Sequence, residues 1–293
     1  MTSQRSILAE YKERDLKYMA TPPINPHKEV GYDDAQHRYF NEDVTYTSVT
    51  QLIDKFKNKF DTPERAQYMA DRYGMTAEYW TTKWDKHRIK SLVRGNKIHD
   101  ENEMVSYGRG YEKVETQVMP VQNRNLLPSN LPYDQLPNGI YPELILWSHK
   151  YKVAGRADKI ILHNGPFKVT REYEPGKFYE YWTNEQRAAD VHDYKTNETL
   201  HFESFYNYRD KTHVMMLGPL SHLMDCSMVH YTLQFSLYQF LLEEFGFLPG
   251  QRTLIHYPHE IEGLGTPDPK PYKLPYLRNE VITMLNHNLT NNA

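Results

Sequence analysis

PELILWSHKYKVAGRADKIIL (residues 142–162) and DVHDYKTN (residues 190–197) decide how this chain is read. Both alternate or run apolar, with turn residues between them, which is the pattern of strands lying in one sheet. The segment that separates them, residues 164–187, is polar and aromatic and reads as an inserted hairpin. Towards the N-terminus, residues 120–140 carry four prolines and several asparagines and read as a surface loop. Residues 62–104 read as helical, with Pro63 near a start and Gly74 as a break before a long helix over 76–104. The run YFNEDVTYTS (39–48) predicts a hairpin turning at 41–43, after which Ser48 or Thr50 caps a helix reaching Phe56. Residues 1–45, with Pro22, Pro23 and Pro26, read as an arm with a short helix at 6–17. Towards the C-terminus, VHYTLQFSLYQFLLEEFG (229–246) predicts an amphipathic helix closed by Gly246. A short strand at 252–257 and a last helix near 276–286 follow.

Helices, then strands, then a helix predict an α/β fold with a mixed central β-sheet flanked by helices. The expected organisation is one domain over residues 46–293, with a helical N-terminal region near 46–118 and a core near 140–258. The 293 residues include 24 tyrosines, so much of the core area must come from rings with polar tips. Mean hydropathy is −0.79. No stretch approaches the roughly 20 apolar residues of a membrane helix, and the N-terminus has no apolar leader. The reading is therefore a cytoplasmic protein with no membrane partner. A single cysteine, Cys226, leaves no set of thiolates for structural zinc or an iron–sulfur cluster. The net charge of −3 means that any contact with a nucleic acid must be local, through a basic groove or a metal ion.

The residues able to carry chemistry lie in the two strands and the helices around them. Asp158 precedes the apolar run Ile160–Leu162, where a buried carboxylate needs a cation or a donor. Alternation places Asp193 and Lys195 on one side of their strand and Tyr194 on the other. An Asp and a Lys so placed make a simple ion pair. Together with Asp158 they also make a seat for Mg²⁺ or Mn²⁺, with a lysine to orient an attacking water. Gly95, His99 and Glu103 recur every four residues on one helical face, and Gly95 would let that face approach the sheet. Gln234 and Tyr238 sit four apart on the apolar helix. The stretch 83–97 holds Lys83, Lys86, Arg88, Lys90, Arg94 and Lys97, which is either a solvated face or one wall of a phosphate groove.

These pieces, in this order, resemble the PD-(D/E)XK nucleases, in the RecB-like exonuclease branch that includes mitochondrial genome-maintenance and phage-encoded relatives. TSVTQLIDKF resembles the family's early helix start, and RGNKIHDENE its G-x-x-x-H helix. PELILWSHKYKVAGRADKIIL resembles its E…G-x-x-D segment, VHDYKTN its D-x-K-T strand, and LQFSLYQFLLE its Q-x-x-x-Y helix. The resemblance implies a restriction-endonuclease-like core with Asp158, Asp193, His99 and the Tyr194 carbonyl as Mg²⁺ or Mn²⁺ ligands. Lys195 would be the catalytic lysine, with Gln234, Tyr238, Glu143 and Glu103 in support. Arg88, Arg94, Lys97 and Ser48 are the expected DNA contacts. The implied activity is hydrolysis of DNA phosphodiester bonds, by an exonuclease acting on ends, with single-stranded DNA among the substrates. The implied setting is phage-type replication, recombination or DNA degradation. The gap between Asp158 and Asp193 is long for the family, and the inserted hairpin accounts for it; an insertion there would be placed to cover the site and restrict access. No G-x-x-x-x-G-K-[ST] motif is present, so any unwinding would fall to a replication or recombination partner protein. Two other readings compete: a catalytically inactive relative that binds DNA ends or a protein, and a metal-dependent hydrolase of small phosphate esters.

Overall fold

The computed structural model describes residues 29–291, apart from 34, 42–43, 115–116, 166, 175–176, 184–186, 209 and 261–264. The described residues open with a three-stranded meander: β1 (Gly31–Asp33), β2 (Arg38–Asn41) and β3 (Val44–Ser48). Ser48 ends β3 and caps α1 (Val49–Asp54). Its hydroxyl accepts from the Gln51 amide while the Gln51 side chain returns to the Ser48 amide. Asp61 caps α2 (Thr62–Tyr73), which stops at Gly74 with φ 73°. Thr76 caps α3 (Ala77–Arg109), a 33-residue helix that ends at Gly110 with φ 70°.

A small hairpin follows, β4 (Tyr111–Val114) and β5 (Gln117–Pro120), then the long strands β6 (Gly139–Ser148) and β7 (Val153–Asn164). The inserted hairpin β8 (Phe167–Glu174) and β9 (Lys177–Thr183) leads to β10 (Arg187–Lys195). The remainder is β11 (Tyr206–Asn207), β12 (Thr212–His213), α4 (Ser227–Glu244), β13 (Leu248–His256), β14 (Lys270–Lys273) and α5 (Arg278–Asn291).

Eight strands form the central sheet in the order β1-β2-β3-β7-β10-β13-β14, with β6 along the other edge of β7. β3 runs parallel to β7 and β10 parallel to β13, whereas the other pairs are antiparallel, so the sheet is mixed as expected. The partners of β7 position the site. β6 follows one edge of β7 along most of its length. On the other edge β10 pairs with residues 159–164 and β3 with residues 153–154. Between them, at residues 155–158, that edge has no strand beside it, and the sheet forks.

Three expectations are corrected. β1 and β2 are continuous with the sheet, so residues 31–45 are part of the fold rather than an arm. The expected helix at 6–17 and, of the turn at 41–43, residues 42–43 lie outside the described residues. The helical N-terminal region is bounded by strands at both ends, the meander before α1 and the β4–β5 hairpin within 111–120. Finally, α4 is buried on every side from Thr232 to Leu242 rather than amphipathic. Two of its polar residues are satisfied inside: Ser236 accepts from the Leu277 amide and Thr232 donates to the Met228 carbonyl. Each of its large apolar side chains buried this way contributes on the order of 2 kcal/mol to the core. No helix among the described residues is long and apolar enough to cross a membrane.

Candidate active site

The register of the sheet aligns three acids. Pro142 pairs with Lys159 and Leu144 with Ala157, so Glu143 on β6 stands opposite Asp158 on β7. His192 pairs with Lys159, so Asp193 on β10 is the next residue along and again faces Asp158. Here the strands part, and the Asp158 carboxylate takes the Tyr194 amide at 2.8 Å in place of a backbone acceptor. Glu143 holds a left-handed φ of 53°, rare for a residue with a branched-off side chain and strained by roughly 1–3 kcal/mol. Like charges placed directly across neighbouring strands are also unfavourable. Strain and repulsion are thus concentrated on one row of carboxylates.

α3 closes the fork from the side. At Gly95 a Cβ would come within 3.3 Å of the Thr196 hydroxyl, and this close approach brings His99 in. His99 Nδ1 lies 3.1 Å from Asp158 Oδ2. One atom each from His99, Glu143 and Asp158 fall within 4.8 Å of one another, a group able to hold a metal ion. Two oxygens and an imidazole nitrogen suit a hard or borderline divalent ion. Glu143, expected only in support, is thus in the ligand group. Asp193 stands beside that group with its oxygens engaged elsewhere: Lys195 Nζ donates to Oδ1 at 2.6 Å and Gln234 Nε2 to Oδ2 at 3.3 Å.

The support reaches back through α4. Gln234 Nε2 also donates to the Tyr238 hydroxyl, which donates to the Arg156 carbonyl at 3.0 Å. This packing requires a glycine at 155, since a Cβ there would meet Tyr238 Cε1 at 2.7 Å and Val49 Cγ2 at 2.8 Å. Asp193 is 1% exposed, and the Lys195 side chain 14%, so both are held rigidly.

The electrostatics follow from burial and the close row. For Asp158, burial opposes ionisation, but the His99 hydrogen bond and the Lys195 charge outweigh it and hold the carboxyl below the usual range. Asp193 is pushed well above that range, first by complete burial and then by the charge on Asp158. Glu143 is pushed up to about 7 by burial and by Asp158, with Arg156 opposing. Burial works against the charge of Lys195, yet Asp193 and Asp158 raise its pKa, so it remains an ammonium. For His99 burial also works against protonation, and Asp158 more than offsets it.

These groups open onto a cavity of about 530 Å³ lined also by Tyr32, His37, Tyr39, Ser48, Thr50, Asn96, Asp100, Glu103 and Arg156. Sequence reasoning missed the tyrosines because it assigned them to an arm. It missed Arg156, although a spacing of two from Asp158 on a strand signalled a shared side. Of the expected DNA contacts, only Ser48 lines the cavity, and its hydroxyl is already engaged as the α1 cap. Arg94 is corrected: its guanidinium donates to the carbonyls of Thr196, Tyr257 and Pro258, tying α3 to the ends of β10 and β13. Arg88 pairs with Asp85 and Lys97 with Glu101 along the exposed helix. The inserted hairpin joins the far ends of β7 and β10, and its expected position over the site rests on side chains outside those described. Asn164 is six residues from Asp158, about 20 Å of strand.

No family model matches the chain, and no curated protein is significantly similar to it.

Proposed function

We propose that the chain is a divalent-metal-dependent nuclease that hydrolyses phosphodiester bonds in DNA at the fork between β6, β7 and β10. The observation that carries this reading is the row Glu143–Asp158–Asp193 facing an open cavity, with His99 and a protonated Lys195 at either side. Carboxylates so crowded fit Mg²⁺ or Mn²⁺, held by Glu143, Asp158 and His99, with Asp193 beside them; the Tyr194 carbonyl as a further ligand rests on the resemblance. Such an ion supplies Lewis-acid polarisation of the phosphoryl oxygen and neutralises charge developing on it.

The chain's own residues do the rest. Lys195, an ammonium fixed against Asp193, acts as an electrostatic and orienting group rather than as a base, donating to the attacking water or to the phosphoryl oxygens. Gln234 fixes the second oxygen of Asp193, so the carboxylate keeps its rotamer when Lys195 shifts. His99 must release its proton to serve as a ligand, which Asp158 resists until a cation offsets it. The restriction-endonuclease-like core, the action on DNA ends and a phage-type role belong to the same proposal and rest on the resemblance.

The test is digestion of 5′- and 3′-labelled DNA, single- and double-stranded, linear and circular, with and without Mg²⁺ or Mn²⁺. Cleavage that requires the ion and vanishes in Asp193→Ala and Lys195→Ala supports the proposal, and survival of circles establishes action on ends. Undiminished cleavage by Lys195→Ala overturns the mechanism. Metal-independent DNA binding without cleavage would favour the inactive relative.

A further inference from the structure

Two side chains with a permanent positive charge line the cavity among the described residues, Lys195 and Arg156, and their surroundings differ. Lys195 is enclosed and bound to Asp193. Arg156 is 37% exposed at the side chain and lies on the open side of the row. It stands two residues before Asp158 on β7, on the edge that has no strand beside it. Its Nε is 2.6 Å from Glu143 Oε2, and its guanidinium carbon lies 4.8 Å from the centre of the Tyr32 ring. Arg156 thus touches the carboxylate that shares a ligand group with His99 and Asp158.

An arginine and a divalent ion compete for the same carboxylate. While the group is without a cation, the guanidinium offsets the charge of Glu143. Once a doubly charged ion binds Glu143 and Asp158, that attraction is taken over and the guanidinium faces a like charge nearby. The planar fork of arginine matches the oxygens of a phosphodiester, the anion that the proposed reaction brings to this point. Tyr32 offers a ring on which the guanidinium rests in either position.

We propose that Arg156 is an exchangeable counter-ion: it holds Glu143 until the metal arrives and then grips the phosphate of the bound strand. This rests on the nuclease reading and assigns the phosphate-binding residue of that site. The idea makes one demand that a purely structural role does not. Removing the guanidinium must strengthen metal binding while weakening substrate binding.

The experiment measures two equilibria, in wild type and in Arg156→Ala and Arg156→Lys, each checked by thermal melting. Binding of Mn²⁺ alone is followed by calorimetry. Binding of a labelled single-stranded oligonucleotide is followed in a Lys195→Ala background, where the strand persists. Arg156→Ala should bind Mn²⁺ several-fold more tightly and the oligonucleotide about tenfold more weakly. Arg156→Lys, which keeps the charge without the fork, should leave Mn²⁺ binding near wild type and weaken the oligonucleotide by less. A neutral methylphosphonate at the gripped position should weaken binding in the arginine protein and make no difference in Arg156→Ala. Loss of both affinities in Arg156→Ala, or unchanged oligonucleotide binding, overturns the inference. If the wild type neither binds Mn²⁺ nor cuts DNA, the nuclease reading fails and this falls with it. If the wild type does both and the Arg156 variants match it, only this inference fails.

Discussion

β10 carries two buried aspartates three residues apart, and they lead different lives. Asp190 is 7% exposed, its Oδ1 accepts the Gln251 amide at 2.6 Å, and His163 Nε2 lies 3.2 Å away. Backbone closes around it so tightly that a Cβ on Gly250 would sit 2.1 Å from Asp190 Oδ1. Asp193 is more deeply buried, yet it meets a second carboxylate and borders an open cavity. Burial of an acid therefore does not itself mark chemistry. What separates the two is a rival acid: Asp190 meets donors, whereas Asp193, with Lys195 and Gln234 on its oxygens, also faces the charge of Asp158. The first is a staple between β10 and β13, and the second is a frustrated position that a ligand can relieve.

The comparison is broken most sharply by activity. Asp193→Ala and Lys195→Ala should each lower kcat for DNA cleavage by about 10³-fold or more while leaving the fold intact, whereas Asp190→Ala should retain most of the activity at a temperature where it is folded. Parallel kinetics and circular dichroism would check this, and equal losses at the two positions would erase the distinction. Stability should divide the other way. Gly250→Ala, whose new methyl meets Asp190 and the Ala189 carbonyl, should destabilise by about 3 kcal/mol in urea unfolding. Asp190→Ala should cost about 1–3 kcal/mol by leaving the Gln251 amide without its acceptor.

The neighbouring acid of the row gives a pH signature. Glu143 titrates near 7 when folded, against 4.5 for the free side chain, so between these values the unfolded chain ionises first. Metal-free stability should fall as pH rises from 4.5 to 7 and then level off, by at most about 3 kcal/mol, a loss that Glu143→Gln removes. Burial sets this shift first; of the charged groups around it Asp158 and Glu103 add to it, and Arg156 and His99 oppose it. Added Mg²⁺ should reverse the trend, since the ion favours the ionised form. His192 acts at lower pH. Burial holds it near 4, below its free value of 6.5, so the stability of its neutral form is present above 6.5 and lost as pH falls towards 4. His192→Gln should flatten that limb of the melting profile by about 1–3 kcal/mol.

Much of the arrangement was legible beforehand, because period-two alternation fixes which residues of a strand share a side. Asp193 and Lys195 meet as that rule requires, and Gly95 and Gly155 lie where helix and strand approach closely. The Ser48 cap was legible from its hydroxyl and the helix that follows. Three features were not. Alternation says nothing of backbone strain, so the left-handed turn that aims Glu143 into the row was invisible. A basic run looks alike whether its cations face water or carbonyls, so Arg94 was read as a DNA contact. Polar residues at helical spacing imply a wet face unless their partners are known, and α4 keeps Thr232, Ser236 and Gln239 inside.

The β8–β9 hairpin lies beyond the paired ends of β7 and β10, and the ladder between those strands, not the connecting chain, sets Asp158 against Asp193. Sequence can thus be lengthened, shortened or exchanged at that tip without altering the separation of the reacting groups. The tip is the natural place to attach a fluorophore, a tether or a second module to this scaffold.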